Sequence, residues 1–137
     1  MRNVAIHKSR SSEEWATPQS FFDALNNEFH FDIDACASPR NAKCRIFYSK
    51  QDDGLSKIWS GVIFMNPPFY DVDRWVTKAV LSARHGATVV CLLPSRTDTH
   101  WWHEFYAEAE IRWIRGRLKF DGKTNAPFSC CIWILRP

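Results

Sequence analysis

The chain has 137 residues, of which 45% are hydrophobic and 15% aromatic, so it is long enough to form one domain with a sizeable core. It contains no uninterrupted apolar run of about 18 residues, so we expect no transmembrane helix and no membrane partner. The formal net charge of +3 permits an anionic partner without demanding one.

Cysteine usage and the first residues indicate a cytoplasmic protein. The five cysteines are odd in number and include no Cys-x-x-Cys pair, which argues against a disulfide framework and against a zinc site. Residues 1–8 lack the apolar core of a signal peptide. Residues 1–12 are polar and basic and are predicted to form a mobile arm, either a disordered tail or a phosphate-contacting arm. A single domain is expected over residues 13–137.

The first predicted helix begins after Trp15-Ala16-Thr17-Pro18. Thr17 is a good N-cap, and Pro18 is a good first-turn residue. One face of the helix that follows is apolar and carries Phe21, Phe22, Leu25 and Phe29.

Two short strands and an acidic turn come next. In Phe31-Asp32-Ile33-Asp34 apolar and acidic residues alternate, which predicts a strand that ends in the small-residue turn Ala35-Cys36-Ala37-Ser38. Residues 45–49 predict a second strand, followed by the turn Gln51-Asp52-Asp53-Gly54. Because Asp-Gly is a common turn dipeptide, these acidic residues have an ordinary structural interpretation beside any functional one.

The stretch Val62-Ile63-Phe64-Met65-Asn66-Pro67-Pro68-Phe69 joins a buried strand to a rigid turn. Four apolar residues without a helical period predict the strand, and the prolines end it because neither offers a backbone donor and each favours an extended preceding residue. In an open α/β sheet, ligands bind at the carboxyl ends of the strands. The amide of Asn66, the carbonyls of Asn66 and Pro67 and the ring of Phe69 together suit a planar amine. Asn-Pro-Pro is also an ordinary turn signal.

A second helix and a central strand follow this turn. The apolar face of the helix carries Trp75, Val76, Ala79, Val80 and Ala83. Gly86 ends the helix. Residues 87–93 are almost continuously apolar, which is typical of a central parallel strand. The strand runs into a loop, residues 94–99, where Arg96 either contacts a phosphate or the substrate or is solvated.

The C-terminal part predicts a short helix and an antiparallel hairpin. In the helix, residues 100–106, His100 and His103 have no third ligand nearby, so we predict no metal site. Residues 111–115 and 128–135 predict the two strands of the hairpin. Five basic residues interleaved with aromatic ones lie close together here: Arg112, Arg115, Arg117, Lys119 and Lys123. Such a segment suits nucleic acid, although strand alternation alone explains the first two.

These motifs resemble those of the phage-type DNA N-6-adenine methyltransferase family over residues 15–135. Asn66-Pro67-Pro68-Phe69 resembles motif IV, Asn-Pro-Pro-Phe/Tyr, of the S-adenosylmethionine-dependent amino-methyltransferases. Asp32-x-Asp34-x-x-Ala37 resembles the Asp-x-Asp-x-x-Ala that follows the first helix in the phage family. The glycines of the usual motif I are absent, and Asp34-Ala35-Cys36-Ala37 stands in their place.

The resemblance implies roles for single residues. Asn66, Pro67 and Phe69 would act on the substrate amine. The residues implied to bind S-adenosylmethionine are Trp15, Thr17, Asp34, Ala35, Cys36 and Asp53. Thr17 and the neighbouring backbone would meet its methionine end. Asp53 would accept a hydrogen bond from its adenine amine, although in an alternative alignment Asp52 or Asp53 binds the ribose. The residues we expect to contact DNA are Arg96, Arg117, Lys119 and Lys123.

Helix-strand alternation alone supports an α/β fold. The resemblance implies a Rossmann-like class I methyltransferase core with a mostly parallel sheet, helices on both faces, an antiparallel C-terminal hairpin and fewer than seven strands. The implied activity is methyl transfer from S-adenosylmethionine to adenine N6 in double-stranded DNA, without a metal, in the host cytoplasm if the chain is phage-encoded. The alternatives are a methyltransferase for RNA adenine or a protein glutamine amide, and a catalytically silent DNA-binding module.

Overall fold

The computed structural model describes residues 16–120 and 122–137. The predicted mobile arm and Trp15 lie outside the described residues. The helices and strands follow one another as α1 Gln19–Phe29, β1 Ile33–Asp34, β2 Ile46–Phe47, β3 Val62–Met65, α2 Val72–Arg84, β4 Thr88–Pro94, α3 His100–Phe105, β5 Glu110–Trp113 and β6 Cys130–Leu135. None of these helices is long and apolar enough to cross a membrane.

The strands form one six-stranded sheet in the order β2-β1-β3-β4-β6-β5. Strands β1 to β4 run parallel to their neighbours, whereas β6 is antiparallel to both β4 and β5. The predicted mostly parallel α/β sheet with an antiparallel C-terminal pair and fewer than seven strands is therefore confirmed.

Alternation along the strands divides the core into two layers. Ile63 and Met65 of β3 point to one face of the sheet, where they join the buried face of α2. Phe64 points to the other face and packs on Phe22 of α1, with ring centroids 5.2 Å apart. Helices thus cover both faces, as predicted, and the four inner strands, β1, β3, β4 and β6, are largely buried on both sides.

The start of α1 differs from the prediction. The helix begins at Gln19, and Pro18 occupies the N-cap position without a side-chain hydrogen bond from any described residue. The Pro18 carbonyl accepts the first helical bond, from Phe22 N at 3.0 Å. Thr17 was predicted as the N-cap, but it stands one residue too early, and its hydroxyl bonds to Asn66 instead.

The topology creates a crevice at one edge of the sheet. After β1 the chain crosses to β2 on one side, and after β3 it crosses to β4 on the other. In open α/β sheets, ligands bind at the carboxyl ends of the strands where the direction of the connections reverses. Asp34 ends β1 and Asn66 follows β3, so both stand at this reversal.

Candidate active site

A cleft of about 510 Å³ opens at the carboxyl ends of β1, β2 and β3. Segments that follow all three strands line it, together with residues 16 and 17 and the start of α2. This volume lies in the range of small-molecule sites. Seven of the residues predicted to act on substrate or cofactor line it: Thr17, Asp34, Cys36, Asp53, Asn66, Pro67 and Phe69. Of these, Pro67 is buried.

Asn66 is held at the carboxyl end of β3 by the turn that follows. The prolines end the strand, and a 3-10 turn over Phe69–Asp71 begins at once, closed by a hydrogen bond from Asp71 N to the Pro68 carbonyl at 3.0 Å. The Asn66 Nδ2 atom donates to Thr17 Oγ1 at 3.0 Å. The segment before α1 therefore fixes a side chain that follows the third strand.

Asp34 is a buried carboxylate in the cleft wall. Its side chain is 2% exposed, and its Oδ2 accepts a hydrogen bond from Lys43 N at 3.0 Å. Its Oδ1 is buried without a well-formed hydrogen bond from any described residue, although the Cys36 N–H lies near enough to favour the charged form. Burial raises the pKa of Asp34 from 3.8 to about 6, because the two backbone N–H groups offset the lost hydration only in part.

The two residues after Asp34 differ in their access to the cleft. Cys36 lines it, and burial together with the negative charge of Asp34 raises the pKa of the Cys36 thiol to about 12, so this thiol is neutral at physiological pH. Ala35 is fully buried, and its N–H donates to the Phe64 carbonyl at 2.9 Å as part of the sheet. Ala35 thus supports the wall of the cleft from behind, and the geometry gives no support to its predicted contact with the cofactor.

The acidic turn separates its two aspartates. Asp53 lines the cleft, in a left-handed conformation with φ 57°. The Asp52 side chain accepts hydrogen bonds from the backbone N–H of Ser49 at 2.9 Å and from its hydroxyl at 3.0 Å, which lower the pKa of Asp52. A Cβ on Gly54 would clash with the Ala35 carbonyl oxygen, so only glycine fits there. Of the two acids, Asp53 lines the cleft and Asp52 does not.

An aromatic cluster lies on the other side of the Asn-Pro-Pro-Phe turn. The Phe69 ring meets the rings of Phe128 and Phe120 edge-on, with centroids 4.9 Å and 6.0 Å away. The Arg96 guanidinium lies 5.8 Å from the centroid of the Phe128 ring. The loop after β4 and the segment before β6 therefore stand beside the cleft. The sequence analysis did not assign Phe128 a contact with Phe69, because that contact joins residues far apart in the chain.

The predicted DNA-contacting residues lie outside the cleft on exposed loops. Arg96, Arg117, Lys119 and Lys123 are all exposed. Ala126 N donates to the Leu118 carbonyl at 2.8 Å, which closes the loop that carries Lys119 and Lys123, and Arg117 directly precedes this loop. Arg112 differs, because its guanidinium pairs with Glu28 at 2.7 Å and Glu110 at 2.9 Å. Its charge is used within the fold, in agreement with the structural interpretation of this residue.

Within residues 16–120 and 122–137, no group of three or more potential metal ligands is close enough to hold an ion. His100 instead pairs with Glu104, with 3.3 Å between Nε2 and Oε1. All five cysteines fall inside the described ranges and are free thiols.

Comparison with known proteins identifies the relatives of the chain. A family model described as DNA N-6-adenine-methyltransferase (Dam) matches residues 5–132. A protein of Escherichia phage T1 named DNA N-6-adenine-methyltransferase is 33% identical over 111 residues, which cover 78% of this chain and 47% of the phage protein. A protein of the same name from Haemophilus phage HP1 (strain HP1c1) is 34% identical over 98 residues, which cover 69% of this chain and 57% of that protein. The chain thus spans about half the length of these two relatives.

Proposed function

Because the chain belongs to the DNA N-6-adenine-methyltransferase family, we propose that it transfers a methyl group from S-adenosylmethionine to the N6 amine of adenine in double-stranded DNA. The observation that carries the proposal is that Asn66 and Asp34 line one cleft at the reversal of the sheet connections. An amine-binding turn and a buried acid thereby face the same space.

The cleft suits the methyl donor by its charge, and its volume lies in the range of small-molecule sites. S-adenosylmethionine is cationic at its sulfonium and its amino group, and Asp34 offers a buried carboxylate with one oxygen that lacks a well-formed hydrogen bond from the described residues. A cation beside it would favour the ionised form of Asp34 and offset the burial of its charge. Asp53 would accept a hydrogen bond from the adenine amine of the methyl donor. The neutral thiol of Cys36 would form part of the wall of the cleft.

The main catalytic task of the protein is to align the amine with the methyl group that it attacks. When bound, S-adenosylmethionine supplies a methyl group on a positively charged sulfur, which becomes a thioether as the methyl leaves. The N6 amine of adenine is a poor nucleophile because its lone pair is conjugated with the ring. Asn66 and the Pro67 carbonyl would accept the two amine hydrogens and turn the lone pair out of the ring plane. Holding two reactants in line removes much of the entropic barrier, and the methylated nitrogen then loses a proton to solvent.

The aromatic cluster and the exposed basic residues suit a flipped DNA base. An enzyme that acts on a base inside a duplex takes that base out of the stack. Phe69 lines the cleft beside Asn66, and its ring would stack on the extruded adenine. Arg96 lies over the neighbouring Phe128 ring, where its charge would contact the DNA backbone. Arg117, Lys119 and Lys123 would extend this surface, because all three are exposed on the loop that contributes Phe120.

The free thiols also indicate the cellular compartment in which the protein acts. Five free cysteines in a small chain fit a reducing environment. Since the relatives named above are phage proteins, we place the reaction in the cytoplasm of the host cell.

The test is methyl transfer from labelled S-adenosylmethionine to three acceptors in parallel: unmethylated duplex DNA, RNA of the same sequence, and a protein extract. We expect label in DNA alone, recovered as N6-methyladenine after digestion to nucleosides. Asn66→Ala should abolish most of the transfer, and Asn27→Ala, which changes an exposed asparagine on α1, is the matched control. If the label appears only in RNA or only in protein, that molecule and not DNA is the acceptor. Absence of cofactor binding by calorimetry would favour a silent DNA-binding module.

A further inference from the structure

We propose that Thr17 is a positioning residue whose hydroxyl holds the Asn66 amide in its reactive orientation. The inference rests on the proposed function, since it concerns how Asn66 meets an amine. It changes the role that the sequence suggested for Thr17, which was a contact with the methionine end of the methyl donor.

The contact joins two elements that are distant in sequence. Asn66 Nδ2 donates to Thr17 Oγ1 at 3.0 Å across 49 positions of the chain. Thr17 is 5% exposed, and both residues line the cleft. The threonine hydroxyl is thus withdrawn from bulk water and committed to the one side chain on which the chemistry depends.

Orientation matters because the two ends of an amide are chemically opposite. The oxygen accepts hydrogen bonds and the nitrogen donates them, yet the two have almost the same size, so hydrogen bonding decides which way the amide points. An amine must give its hydrogens to an acceptor before its lone pair can face a methyl group. If the amide nitrogen stood in that place, its own hydrogens would face the hydrogens of the amine, and no hydrogen bond could form. A threonine hydroxyl can donate or accept, and in this structure it accepts from Nδ2. This contact turns Oδ1, which is buried, away from the threonine, and Oδ1 is then the atom to which the amine would donate.

The packing around both residues fixes this arrangement. Pro18 restricts the backbone after Thr17, and its carbonyl accepts the first bond of α1 from Phe22 N. The Phe22 ring packs edge-on against Phe64, which stands two residues before Asn66. Helix α1 also begins without a side-chain cap from the described residues. Thr17 lies one residue before the N-cap position, and its hydroxyl accepts from Asn66 Nδ2.

The first experiment compares Thr17→Val, which keeps the shape and removes the hydroxyl, with Thr17→Ser, which keeps the hydroxyl. One hydrogen bond shifts an equilibrium about two- to twelvefold, so kcat should fall by about that factor in Thr17→Val and recover in Thr17→Ser. The KM for S-adenosylmethionine should stay unchanged in both. Thr77→Val is the matched control, because it removes a hydroxyl that bonds to the Asp73 carbonyl within α2. An unchanged kcat, or an increase in the KM for S-adenosylmethionine with kcat intact, would overturn the proposal.

A second comparison separates orientation from general support. In an Asn66→Asp background the two carboxylate oxygens are equivalent and no wrong orientation exists, so Thr17→Val should cost less than about twofold. If Thr17→Val lowers kcat equally in the wild-type and Asn66→Asp backgrounds, Thr17 has only a structural role and the proposal is wrong. If Asn66→Asp is too slow to assay, the comparison of kcat with KM above decides alone.

A third readout does not depend on activity. The side-chain NH₂ resonances of Asn66 in the ¹H–¹⁵N spectrum of the free protein should shift in Thr17→Val and remain close to wild type in Thr17→Ser. Wild-type protein that transfers no methyl group to DNA would defeat the proposed function, while this spectrum would still report whether Thr17 holds the amide. Unchanged Asn66 resonances in Thr17→Val would defeat the inference by itself.

Discussion

Replacing Asp34 by asparagine is expected to stabilise the protein at neutral pH and to weaken binding of the methyl donor. The side chain is 2% exposed, and its pKa rises from 3.8 to about 6 on folding. One pKa unit corresponds to about 1.4 kcal/mol, so the buried charge costs the folded state about 3 kcal/mol above pH 6. Asparagine keeps one oxygen that can accept from Lys43 N, but its NH₂ would face the Cys36 N–H, and this loss reduces the gain by about 1 kcal/mol.

The net expectation is a gain of about 1–2 kcal/mol at pH 7.5, or an increase in Tm of about 3–10 °C for a domain of this size. The sign follows from linkage. Because folding raises the pKa of Asp34, the native state binds more protons between pH 4 and 6 than the unfolded state, so the contribution of Asp34 to stability falls as the pH rises through that window. At pH 4 the carboxyl is largely protonated in the folded state, and the advantage of Asp34→Asn should vanish.

The assay is chemical denaturation at pH 7.5 and pH 4, with calorimetric titration of S-adenosylmethionine at pH 7.5. Affinity for the donor should fall by at least about tenfold, because a charged partner is lost. Asp52→Asn is the matched control with the opposite sign, since hydrogen bonds to Ser49 lower the pKa of Asp52, and neutralising it should reduce stability at neutral pH. Equal stability of Asp34→Asn and wild type at both pH values, together with unchanged donor affinity, would refute the reasoning.

Three further outcomes are expected. Asn66→Ala should lower turnover by about a hundredfold and leave Tm nearly unchanged, and wild-type turnover would remove the amine-binding role of the turn. The double variant Arg117→Ala/Lys119→Ala should reduce the slope of log affinity for DNA against log salt by about two while leaving donor affinity intact; normal DNA binding would make these charges ordinary surface. Gly54→Ala should destabilise the protein by about 1–3 kcal/mol in urea denaturation, because its Cβ would clash with the Ala35 carbonyl oxygen, and an unchanged midpoint would contradict that geometry.

The sequence predicted the parts of the site that local chemistry determines. The apolar run before Asn66 and the prolines after it specify a strand and its end without help from the rest of the chain, and β3 ends at Met65 as expected. The alternation before Asp34 likewise located β1, although the strand is only two residues long. The carboxyl-end rule then brought both residues to one edge of the sheet, and the cleft lies there.

The sequence could not predict contacts between distant segments. Thr17 has the residue type and the position of a helix cap, so local propensity favoured that role, yet its hydroxyl bonds to Asn66. The choice between Asp52 and Asp53 also depended on tertiary structure, because both lie in one turn and only the fold shows which faces the cleft. Phe128 meets Phe69 only because β6 returns beside β4.

The most direct test of the central claim is the N6-methyladenine content of DNA from cells that lack their own adenine methyltransferases and express this chain. Nucleoside mass spectrometry should find N6-methyladenine in DNA from cells with the wild-type chain, and almost none in DNA from cells with equal amounts of folded Asn66→Ala. If DNA from wild-type-expressing cells contains no N6-methyladenine while the purified protein is folded and binds S-adenosylmethionine, the chain does not methylate DNA adenine and the central claim is wrong.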